Sequence, residues 1–140
     1  MAEDTNFHIV PQQIVGIGNQ VNGHNQVGII LHHHRDYLEL LGINARKLEA
    51  QELFFFTRSL GETTFPHVLL ANSMMKIHVR IWLPRHDETK MLMDGQISVQ
   101  GKVTAKMAPS EMVLCTLDST PVKIPDWIRD IIGRDTPDDI

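Results

Sequence analysis

The sequence predicts an α+β fold: N-terminal helices packed on an antiparallel sheet of three to five strands, with a short C-terminal helix. Three observations predict it. Apolar residues recur at helical spacing within the first sixty residues, the period drops to two from Met75, and an apolar stripe of helical spacing returns after Pro125. The chain has 140 residues, 42% hydrophobic and 21% charged, which is the balance of one ordinary globular domain. That composition excludes disordered, collagen-like and low-complexity classes. The expected domain spans 1–140, with flexible tails at 1–6 and 134–140.

Residues 7–15 read as a first strand, which Pro11 confines to an edge or a bulge. Residues 16–26 are rich in Gly, Asn and Gln and read as a loop. Their glycines match neither the dinucleotide fingerprint nor a phosphate-binding loop. Over 27–41, a helix gathers Val27, Ile30, Leu31, His34, Leu38 and Leu41 on one face before Gly42. The alternative is a strand over 27–31 feeding a helix from Arg35, so a helix is expected over at least 35–41. Residues 44–60 predict one helix, capped by Asn44 and ended by Gly61. Ala45, Leu48, Phe56 and Leu60 lie on one of its faces and Phe54 on the other. Residues 65–73 are a short helix or a loop.

From Met75 the residues Met75, Ile77, Val79, Ile81 and Leu83 alternate with Lys76, His78, Arg80 and Trp82, which predicts a strand ending at Pro84. Asp94-Gly95 is a favoured two-residue hairpin turn, expected between strands over 91–93 and 96–99. Ile97, Val99, Val103 and Ala105 continue the alternation, and 111–117 reads as a further strand. Pro125 opens the last helix, whose Ile124, Trp127, Ile128 and Ile131 share a face before Gly133.

The formal net charge is −4, yet residues 75–107 carry six Lys/Arg against three Asp/Glu. A global field that attracts polyanions is excluded, so any anion binding must be local. The polar face of the predicted sheet offers such a locus. Lys76, His78, Arg80 and Trp82 project from one side of one strand, and Lys102 and Lys106 from the polar side of another. Cations beside an aromatic plane suit a phosphate backbone and an unstacked base. The expected function is therefore a non-enzymatic binding protein that contacts nucleic acid or another anionic partner through this face.

Two other classes compete. In the first the chain is a protein–protein adaptor or assembly subunit, a homo-oligomer held through Phe54, Trp127, Ile128 and Ile131, with no nucleic acid involved. Six of the seven methionines lie between Met74 and Met112, which suits either a core or an interface that repacks. The second is a metal-dependent hydrolase. His32-x-His34-x-Asp36 follows the apolar run Ile29-Ile30-Leu31 and resembles the metal signature of the metallo-β-lactamase-like hydrolases. The resemblance covers fewer than ten residues and departs from the family at Tyr37, where the family has histidine. It implies a divalent metal such as zinc held by His32, His34 and Asp36. The structural alternative places His34 as a packed or hydrogen-bonded residue on the apolar stripe, and then no cofactor is expected.

The lone Cys115 excludes an intramolecular disulfide framework and a cysteine-cluster zinc site. Its setting, Val113-Leu114-Cys115-Thr116-Leu117, is that of a strand that packs. No run approaches the length of a membrane span, and residues 1–6 lack the pattern of a signal peptide. A cytoplasmic setting, bacterial or inside a host cell, is expected.

Overall fold

The computed structural model describes residues 1–12 and 16–140. It is an α+β fold in which an antiparallel sheet wraps a long helix. The elements in chain order are β1 (Ala2–Ile9), α1 (Gly23–Leu40), α2 (Ala45–Ala50), β2 (Leu53–Ser59), β3 (Thr63–Thr64), β4 (Met74–Trp82), β5 (Lys90–Val99), β6 (Lys102–Thr116) and α3 (Asp126–Ile132). The sheet has six strands in the order β1-β4-β5-β6-β2, with β3 also pairing β6, and every pairing is antiparallel.

Several expectations shift. The residues expected to form a tail at 2–6 belong to β1, which pairs with β4 from Ala2 opposite Ile81 to Ile9 opposite Met74. Of the strand read over 7–15, residues 7–9 close β1, and 13–15 lie outside the described residues. Helix α1 begins earlier than the Gly-rich composition suggested, because the Asn22 side chain accepts the Asn25 N–H at 2.8 Å and caps it.

The helix expected over 44–60 is instead a short helix and a strand. Asn44 does cap α2, accepting the Lys47 N–H at 2.9 Å, but the helix stops at Ala50 and Glu52 turns to φ 57°. The run Leu53-Phe54-Phe55-Phe56-Thr57 then pairs with β6, from Leu53 opposite Thr116 to Thr57 opposite Met112. Aromatic residues fit a pleated sheet surface, and here tertiary pairing overrides local helical spacing.

The hairpin turn moves as well. Asp94 and Gly95 lie inside β5, and the β5–β6 turn is Gln100-Gly101, both at positive φ (51° and 79°), as a primed two-residue turn requires. Gly95 serves another purpose. A Cβ there would come within 2.7 Å of Ile30 Cγ2 and 3.2 Å of Val79 Cγ1, so its absence lets α1 lie against the sheet.

The alternation of β4 holds. Met75, Ile77 and Val79 are buried with Ile30 of α1 and with Ile97, Ala105 and Met107, and Ile81 is buried in the neighbouring cluster. A second cluster joins Leu38, Ile43, Leu48, Met91, Met93 and Leu114 to Ile124, Ile128 and Ile132 of the α3 region. Cys115 packs in β6 with no exposure. No helix of the described residues is long and apolar enough to cross a membrane.

Candidate functional site

On the sheet face expected to bind anions, Arg80 and His78 already face the chain's own carboxylates. Arg80 bonds to both carboxylate oxygens of Asp94, its cross-strand neighbour, and to Asp139 at 2.7 Å. These partners push the guanidinium pKa upward, and Arg80 in turn holds the Asp139 carboxyl below its ordinary value. His78 lies 3.1 Å from Glu3 and 3.3 Å from Thr5 on β1. Trp82 is 1% exposed, with the Arg80 guanidinium 5.8 Å from its ring centre, so no stacking plane is offered. Lys76, Lys102 and Lys106 are exposed, without an accompanying aromatic plane from Trp82.

The proposed metal ligands are not brought together. His32 and Asp36 form an exposed pair, 3.1 Å apart, one turn from each other on α1. His34 is 1% exposed on the apolar stripe of α1, where its Nε2 meets the Asp94 carbonyl at 2.7 Å. Among the described residues, no group of three or more His, Cys, Asp or Glu is placed to hold a metal ion. The expected partner surface is also partly spent. Ile128 is fully buried, Ile131 packs on the core, and Trp127 donates to Gln51 at 3.3 Å with Lys47 over its ring.

Phe54 leads to the better site. It is half-buried and lines an apolar cavity of about 370 Å³ between α1, α2 and strands β2, β5 and β6. Helix α1 contributes Leu31, His34, Arg35, Leu38 and Glu39. The α2 segment adds Ile43, Ala45, Leu48 and Glu49, and β2 adds Leu53, Phe54, Phe55 and Thr57. Met93, Met112 and Ser110 close the sheet side. The volume falls in the range of small-ligand pockets, and the lining has their character, apolar with few polar groups.

Those polar groups are graded by depth. Arg35, Glu39, Glu49 and Thr57 are exposed, whereas His34 and Ser110 are buried. Thr57 Oγ1 donates to Met112 Sδ at 3.1 Å, and Ser110 Oγ accepts the Gly61 N–H at 2.8 Å. Burial holds the His34 imidazole below its ordinary pKa, only partly offset by its bond to the Asp94 carbonyl. The cavity sets exposed carboxylates at its rim and a buried imidazole in its wall. Nothing in the sequence marks Leu48, Leu53, Phe55, Met93 and Met112 as cavity residues: β5 and β6, far along the chain, close a wall begun by the consecutive α1, α2 and β2. Of the two cavity aromatics, Phe54 and Phe55, Phe54 is the one that the sequence sets apart, opposite its expected helical face.

No family model matches the chain, and no curated protein matches it. Solved structures do. A 1,4-dihydroxy-2-naphthoyl-CoA thioesterase from Synechocystis superposes with a TM-score of 0.80 at 13% identity, covering 97% of this chain and 100% of its own. A hypothetical protein from Staphylococcus aureus, described in complex with CoA, gives 0.83 at 14% identity, covering 94% and 82%. A gentisyl-coenzyme A thioesterase gives 0.73 at 15% identity, covering 93% and 100%. The fold is the hot-dog fold. At these identities the likeness establishes architecture and nothing finer. It also corrects the expected function: several structures that share this architecture are described as thioesterases, which are enzymes, and Arg80 and His78 of the face assigned to nucleic acid are paired within the chain.

Proposed function

We propose that the protein hydrolyses acyl thioesters of a CoA-like carrier, with the acyl group held in the cavity between α1 and β2. The observation that carries this reading is the hot-dog fold shared over more than nine-tenths of the chain with CoA thioesterases and a CoA-bound protein. An apolar cavity beside that helix supports it, since an acyl chain needs a water-poor wall while its thioester stays near the rim.

The chemistry needs a group that takes a proton from water. Glu39 and Glu49 stand at the rim, and either carboxylate can do so as the water oxygen bonds to the thioester carbonyl carbon. Collapse of the tetrahedral intermediate breaks the C–S bond, and the proton passes to the leaving thiolate. The products are a carboxylic acid and a thiol. Release of thiol from a panel of acyl-CoA esters tests the reading. We expect turnover that falls by about 10²-fold when the operative carboxylate becomes the amide, in Glu39→Gln or Glu49→Gln. Thr57→Trp, which fills the cavity from an exposed strand position, lowers kcat/KM for long acyl chains most. Hydrolysis no faster than in buffer overturns the proposal.

We propose further that the protein acts as a homo-oligomer joined along β2. That strand pairs β6 on one side only, and its Phe56 is 38% exposed.

A further inference from the structure

The outer face of the sheet changes character from end to end. Toward Trp82 it is polar, where Arg80 and His78 face carboxylates. At the other end of β4 it turns apolar. Ile9 lies opposite Met74 and Phe7 opposite Lys76 across the β1–β4 pair, so these four side chains project from one side. That side faces away from α1, because the alternate residues Met75 and Ile77 are buried with Ile30. Phe7, Ile9 and Met74 are 62%, 52% and 51% exposed. Met74 continues into a surface hollow with Val68, Leu70 and Lys102, and both of those aliphatic residues are exposed as well. Single exposed apolar side chains are ordinary on a globular domain, but five gathered at one end of one sheet mark a contact surface.

Charge decides what that surface contacts. Lys76 and Lys102 stand exposed at its border, and among the described residues neither has an ion-pair partner. No Asp or Glu lines the hollow. A second copy is a poor occupant, since a two-fold contact through this face sets one cationic border against another. We propose that this face rests on a lipid bilayer carrying anionic headgroups. Phe7, Ile9 and Met74 enter the interface, and Lys76 and Lys102 meet the headgroups. Apolar side chains bordered by cations hold a protein on an anionic bilayer through burial and local attraction together. The chain as a whole carries a net charge of −4, so only this region is drawn to the surface and one orientation results. β2, at the opposite end of the strand order, stays clear of the bilayer. The inference does not rest on the thioesterase reading.

The test sediments the full chain with unilamellar vesicles of phosphatidylcholine alone and of phosphatidylcholine with about 30% phosphatidylglycerol. The protein is expected to pellet with the anionic vesicles at low salt and to be released as salt is raised. Lys76→Gln with Lys102→Gln lowers the partition coefficient by about thirtyfold, and Phe7→Ser with Ile9→Ser lowers it at least as far. All four positions are exposed, so far-ultraviolet circular dichroism stays unchanged. Orientation is read from an environment-sensitive fluorophore on Phe7→Cys, the native Cys115 being buried. Its emission moves to the blue on anionic vesicles. The same probe on Leu117→Cys, exposed just past the far end of β6, does not move. No pelleting with anionic vesicles overturns the inference, as does binding that survives both pairs of substitutions or shifts both probes alike. A lower solution mass of the Phe7→Ser, Ile9→Ser variant by light scattering assigns the face to a second copy and overturns it too. Thioester hydrolysis in free solution is indifferent to these variants, so its outcome bears on the thioesterase reading alone.

Discussion

Arg80 shows how a side chain that reads as a binding group becomes structural. Its guanidinium satisfies both oxygens of Asp94, which is only 7% exposed, and reaches the exposed Asp139 as well. Removing one partner of a largely buried pair leaves the other charge without water or counter-ion. Arg80→Ala therefore destabilises the fold by about 3 kcal/mol, measured as a lower urea midpoint at unchanged slope. Asp139→Ala leaves Asp94 paired and lowers the midpoint far less. With Arg80 paired and Trp82 buried, titration with DNA or RNA is expected to leave the tryptophan fluorescence free of salt-dependent quenching. Equal effects of the two substitutions, or such quenching, would sink this account. Strand alternation in the sequence placed Arg80, His78 and Trp82 on one side of β4 correctly. It could not show that Asp94, fourteen residues on, lies directly across the strand pair, or that residues 137–139 return to the same cleft.

Where β1 meets α1, histidines make the packing sensitive to acid. The rings of His8 on β1 and His33 on α1 are 5.2 Å apart, and His32 lies 6.4 Å from His33. Burial first, then the neighbouring His8, lower the His33 pKa; Asp36 opposes them, and His32 (lowering) and Asp4 (raising) act more weakly. His34, on the same helix, is lowered by burial too. The unfolded chain thus binds more protons than the folded one once the pH drops below the ordinary histidine value of 6.5, and stability rises with pH across that window. These contributions are whole above it and are lost as the pH falls toward the lowered values. Urea unfolding at pH 7 and pH 5 will show the acid loss, and His33→Gln will reduce it. Amide exchange should quicken first in β1, the strand that His33 touches through His8. A pH-independent midpoint would refute this. The triplet His32-His33-His34 was conspicuous in the sequence, but helical geometry sends its members three ways: outward to Asp36, sideways to His8, inward to Asp94. The elements around α2 were less legible. Residues 44–60 satisfy a helical spacing that only the β6 partner strand can break, and nothing local to the sequence names that partner.

Among the described residues β1 and β2 end the strand order, and they differ in chemistry. β1 carries Glu3, Asp4, Thr5 and Asn6, whose charge and polarity discourage pairing with a second copy of itself. β2 carries Leu53, Phe54, Phe55 and Phe56, with Arg58 already committed to Glu111 at 3.0 Å. An unprotected apolar edge is a template for another strand, and the strand that matches it in register and hand is the same strand of another copy, related by a two-fold axis. The cavity gives this edge a bearing on activity, because Phe54, Phe55 and Thr57 belong both to β2 and to the cavity wall. A second copy paired along β2 would fix the backbone that carries those side chains and shield the cavity's rim. Light scattering across micromolar concentrations is then expected to give twice the 15.9 kDa chain mass. Phe56→Glu, an exposed substitution that places like charges opposite one another across the two-fold axis, should yield a monomer with unchanged far-ultraviolet circular dichroism. Thioesterase activity should fall with dissociation in that variant and recover as concentration restores pairing. A monomeric wild type, or a dimer indifferent to Phe56→Glu, would remove β2 from the interface. Full activity in the monomer would show that the cavity is complete within one chain.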